Sequence, residues 1–113
     1  MTLTQTEALA LTLIIEASVA PLIARALGVS PAAAILCAIL GTWTTHPVLW
    51  TIFYPTQAIF GTLTTPTLEI AVFLAEAPFY KFITPTQWNK AILLSLLVNA
   101  ASWGAGEFIY RWL

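Results

Sequence analysis

Along the chain, long apolar runs alternate with short clusters of hydroxyl residues, prolines and glycines. Those clusters are helix signals. Thr4 and Glu7 have the spacing of a capping box, in which each side chain accepts from the other residue's backbone N–H. Ser30-Pro31 opens the second run, Thr65-Pro66 the third, and Thr84-Pro85 with Gln87 the fourth. In each, a hydroxyl precedes a proline at the first helical position, where the missing N–H is not needed. Gly28 and Tyr54-Pro55 read as stops. The pattern predicts helices at about 5–27, 31–54, 66–83 and 85–112. Two connections are tight turns, and the third, Pro55 to Thr65, reads as an interfacial loop.

A helix crossing a bilayer needs about 20 residues, within a range of about 17–25. The first two fit, the third is short, and the fourth must tilt or project. The expected fold class is therefore an all-α integral membrane protein. It has four transmembrane helices forming two tandem hairpins, in a single domain over residues 1–113.

Composition supports that reading. The chain is 59% hydrophobic and 8% charged, more apolar surface than 113 residues could hide in water, so a lipid bilayer is the expected partner. The net charge of -1 gives no footprint for nucleic acid. Cys37 stands alone, which excludes an internal disulfide or a cysteine metal site. The N-terminal MTLTQTEALAL lacks the basic region and cleavage site of a signal peptide. Arg25, Lys81 and Lys90 lie near the two turns, and Arg111 lies at the opposite end. The positive-inside rule then puts the hairpin turns in the cytoplasm and both termini outside. Trp88 and Tyr80 suit one aromatic belt, and Trp50, Tyr54, Tyr110 and Trp112 the other.

The hairpins read as copies, residues 7–54 and 66–112. AILCAILGTWTTHP (Ala34 to Pro47) lies on AILLSLLVNAASWG (Ala91 to Gly104) without a gap. Thr42 then matches Asn99, Thr45 matches Ser102 and His46 matches Trp103, while Glu16 matches Glu76 if three residues are lost between the glutamate and the AIL run. Such copies enter the bilayer in the same direction, related by an axis near its normal.

The few polar residues gather at one level. At 1.5 Å per residue, Glu16, Glu76, His46 and Asn99 lie roughly 18, 15, 12 and 20 Å from the outer ends of their helices. Glu69, two turns above Glu76, and Glu107, nearer the surface, extend this level into an access track from outside. A carboxylate in hydrocarbon costs about 2.5–3.5 kcal/mol, so these groups are expected to face inward and satisfy one another. A Glu–His pair there would share a proton. Two plainer roles compete with this one: His46, Thr44 and Thr45 could mend the backbone gap left by Pro47, and the glutamates with Asn99 could fix helix register.

No HExxH, GxSxG or P-loop is present, and there is no Asp, so no enzymatic activity is expected. One histidine without ligand spacing gives no metal site, and the cofactor, whether haem or pigment on His46, stays open. Two functions fit: a proton- or cation-coupled transporter or channel working through Glu16, His46, Glu76 and Asn99, or an accessory subunit of a larger respiratory or photosynthetic membrane complex. Ala100, Ala101, Gly104, Ala105 and Gly106 on the fourth helix, with Phe73, Phe79 and Phe82 on the third, point to a homo-oligomer or to other membrane-protein subunits as partners.

Overall fold

A computed structural model describes residues 4–112, with side chains described as far as Ile109; those of Tyr110, Arg111 and Trp112, placed above at the outer end, lie outside the described residues. It is all-helical, with no strand among the described residues. The helices are α1 (Gln5–Leu27), α2 (Pro31–Phe60), α3 (Thr64–Ile83) and α4 (Trp88–Trp112). A 3₁₀ turn, Gly61–Leu63, links α2 to α3 without a break. The molecule thus has three continuous helical runs long and apolar enough to cross a membrane: Gln5–Leu27, Pro31–Ile83 and Trp88–Ile109. The middle run has 53 residues. Straight, it would extend roughly 80 Å at 1.5 Å per residue. The longest dimension of the molecule is 39 Å, so this run doubles back at Gly61 and α3 packs on α2.

The start of α1 follows local signals. Thr4 N donates to Glu7 Oε1 and Glu7 N to Thr4 Oγ1, both at 3.1 Å. Gly28 closes the helix at φ 72°, a left-handed conformation that glycine adopts without a Cβ clash. Ser30 Oγ accepts from Ala33 N at the start of α2.

Three expected boundaries are corrected. The second helix does not stop at Tyr54 but continues through Pro47 and Pro55 to Phe60. One proline removes one N–H and leaves the rest of the ladder in place, so the helix tolerates each proline and goes on. The Pro55–Thr65 segment is consequently not a loop. α3 starts two residues before Pro66, at Thr64, whose hydroxyl donates to Gly61 O at 2.7 Å. α4 starts at Trp88 rather than residue 85, because the Thr84 hydroxyl turns back to the Tyr80 carbonyl and ends α3 instead of capping α4.

The helices form a ring in which α1 and α3 each lie beside both α2 and α4. Its centre is built of small side chains, among them Ala20, Ala24, Ala34, Ala38 and Ala91, which let the backbones approach closely. Tyr80, expected on an aromatic belt, fills the room these alanines leave and is 0% exposed. Phe79, expected on the surface, packs partly against the same centre. Outside the pattern inverts. Leu22, Tyr54, Ile59 and Phe82 are all at least 70% exposed, while Glu16 and Glu76 are each 1% exposed. Water would favour the reverse arrangement, so the apolar helices are compatible with a membrane-embedded protein.

Candidate functional site: a carboxylate-lined cavity

Glu16 belongs to the buried stripe Glu16, Ala20, Ala24 of α1, spaced at i, i+4 so that all three face the ring's interior. Its Oε2 accepts a hydrogen bond from Thr42 Oγ1 of α2, and Ser102 of α4 borders a cavity with it. Glu76 of α3 is held in the same manner. Thr45 Oγ1 donates to its Oε2 at 2.7 Å, and Asn99 Nδ2 to its Oε1 at 3.3 Å. Asn99 is positioned in turn by its own helix, donating to Ser95 O at 2.8 Å, and Ser95 Oγ donates to Phe73 O at 2.7 Å across to α3. Glu76 also needs Gly41: a Cβ there would stand 3.2 Å from Glu76 Cγ and 3.3 Å from its Cδ.

Glu16, His46, Glu69, Glu76, Asn99 and Glu107 all border one cavity of about 180 Å³ between the four helices. Leu49, Val72 and Trp103 supply its apolar wall. Glu69 interacts electrostatically with both Glu76 and Glu107, so the three carboxylates follow one another along the cavity. No Lys or Arg lines it among the described residues.

The expected carboxylate–imidazole pair is replaced by other contacts. His46 Nε2 accepts from Trp50 Nε1 at 2.8 Å, a bond within α2. An indole N–H can only donate, so Nε2 is the unprotonated nitrogen, and an indole four residues along the same face reaches it more directly than a carboxylate on another helix. Hydroxyls and an amide serve the glutamates instead. Thr45 is thereby committed to Glu76, and Thr44 bonds the Leu40 carbonyl at 2.8 Å rather than that of Trp43, so neither mends the gap at Pro47.

Thr42, Thr45, Ser102 and Tyr80, which the sequence did not single out for this site, belong beside it. Thr42 and Thr45 stand three residues apart on one face of α2, as Asn99 and Ser102 do on α4, and that spacing was the available signal. Tyr80, one turn from Glu76, has a buried hydroxyl with no hydrogen-bond partner, and it interacts electrostatically with both Glu16 and Glu76. Among the described residues no three acidic, His or Cys side chains converge to hold a metal ion. Chemically, the cavity offers carboxylates held by neutral donors, an arrangement suited to taking up protons or a cation. Comparisons of the chain with protein-family models, with curated proteins and with solved structures find no match.

Proposed function

We propose that this chain is a four-pass membrane protein that carries protons or cations through the cavity between its helices. In this reading α2 and α3 are separate spans joined at Gly61, the hairpin turns lie in the cytoplasm, and the cavity opens toward the outside. One observation carries it: two carboxylates 1% exposed, Glu16 and Glu76, border a cavity inside a bundle whose outer surface is apolar. Buried charge of this kind is expensive in lipid and is kept where ions or protons pass. The basic residues support the orientation, since Lys90 Nζ comes 3.9 Å from where a Gly28 Cβ would stand, which gathers positive charge at the turn end.

A second reading draws on the hydrogen bonds. Thr42, Thr45 and Asn99 satisfy both glutamates, as a network that only fixes helix register inside a larger complex would require. Conservative variants separate the two. The chain is reconstituted in liposomes containing a pH-sensitive dye, and an ion or pH gradient is imposed. Glu16→Gln and Glu76→Gln keep shape and hydrogen-bonding capacity but cannot ionise. Gradient dissipation by the wild type that falls about tenfold or more in both variants supports an ion path, a loss of about 1.4 kcal/mol in rate terms. A wild type no faster than empty liposomes overturns it and leaves the structural reading.

A further inference from the structure

We infer that the cavity is a single binding site for a small organic cation bearing an ammonium group, with Glu16 and Glu76 as its two equivalent halves. The inference rests on the reading of the cavity as a cation site, and adds what the cation is and how it is held.

The equivalence is residue by residue. With Ala34–Pro47 laid on Ala91–Gly104, the buried positions of α2 are 34, 37, 38, 41 and 42, and those matched to them on α4, 91, 94, 95, 98 and 99, are all buried. With Glu16 laid on Glu76, buried positions 16, 20 and 24 fall on 76, 80 and 84, again all buried. The hydrogen bonds follow the same rule. Each glutamate takes one donor from its own hairpin, Thr42 for Glu16 and Asn99 for Glu76. Thr45 reaches across from the first hairpin to Glu76, and Ser102 of the second borders the same cavity as Glu16. Thr42 and Asn99 are matched positions, as are Thr45 and Ser102. A half-turn about the axis of the ring therefore carries one carboxylate onto the other, and a ligand on that axis meets both alike.

The chemistry of the ligand follows from what surrounds it. Every donor named on Glu16 and Glu76 is neutral and no Lys or Arg lines the cavity among the described residues, so a cation entering it meets those two carboxylates free of any ion pair. A bare metal ion fits poorly: calcium or magnesium requires about six or more oxygens in a tight shell. Here no three acidic, His or Cys side chains converge among the described residues. The cavity, about 180 Å³, is also several times the roughly 30 Å³ share of one water, room for a body of several heavy atoms. Leu49 and Val72 offer that body an apolar wall, and the Trp103 ring can take the charge on its face. Tyr80, one turn from Glu76, adds a buried hydroxyl without a hydrogen-bond partner, where a buried polar group is ordinarily satisfied.

Calorimetry on the purified full chain in nanodiscs tests this, with n-propylammonium as probe and sodium, potassium and magnesium as competitors. The expected result is one propylammonium per chain. Its affinity should fall about tenfold or more, and by similar factors, in Glu16→Gln and Glu76→Gln. The exchange Thr42→Asn with Asn99→Thr should keep affinity within about threefold, because matched donors trade places, and it serves if a glutamine variant fails to fold. Absence of amine binding, equal competition by sodium, or dependence on one glutamate alone overturns the inference. Proton or alkali-ion flux without amine binding sinks this inference and leaves the transport proposal, and amine binding without flux does the opposite.

Discussion

Gly41 is where one missing carbon decides the geometry of the site. A Cβ there would press on Glu76 at 3.2–3.3 Å, closer than ordinary carbon contacts, and the glutamate is held on its other side by Thr45 and Asn99. Gly41→Ala is expected to push the carboxyl aside and lower stability by about 1–3 kcal/mol, the usual cost of overpacking. Gly104→Ala and Gly106→Ala, with nothing within 4 Å of the added carbon, should leave thermal unfolding in detergent unchanged or slightly raised. Equal melting temperatures for wild type and Gly41→Ala would contradict this account. At the same scale, the sequence revealed the glutamates and Asn99 because charged and amide groups are conspicuous in apolar runs. The hydroxyls were less legible. In an apolar helix a hydroxyl can bond its own backbone, as Thr44 does to Leu40 and Ser18 to Ile14, or reach a neighbour, as Thr42 and Thr45 do. Which it chooses depends on what the adjoining helix presents, and no single stretch of sequence contains that.

Helix ends were legible where the signal was local and unopposed. The box of Thr4 and Glu7, the Ser30 cap and the Gly28 stop involve residues within four positions of each other. The errors came where two outcomes competed. Tyr54-Pro55 would end a helix whose freed carbonyls could turn to water, but here the helix continues to Phe60. Thr84 could cap forward onto α4 or close α3 behind it, and it does the latter. The reversal was placed instead by Gly61, whose φ of 58° with ψ of -124° suits a residue without Cβ. No atom lies within 4 Å of a carbon added there, so Gly61→Ala isolates the backbone term. It should lower stability by about 1–2 kcal/mol while helix content by circular dichroism stays the same. A variant as stable as the wild type would mean that the turn relaxes freely and does not set the return of α3.

For the whole molecule, the proposed orientation is open to a direct check. The single native thiol, Cys37, is buried at 0% exposure and donates to Phe79 O, so cysteines introduced into Cys37→Ser at Leu63 and Gln87 report without interference. A membrane-impermeant maleimide should label position 63 from outside and position 87 only after permeabilisation. The opposite pattern would invert the topology. The pairing of polar groups within each hairpin also bears on how such a chain is made. When the first hairpin emerges from synthesis, Glu16 already has Thr42 on the adjoining helix, before any of the second exists. The second arrives with Glu76 already opposite Asn99. In the proposed four-pass topology, neither Glu16 nor Glu76 then faces lipid alone while its half waits for the other. In that topology biosynthesis can proceed as two insertions followed by docking, with Thr45 of the first half reaching Glu76 of the second only at the last step.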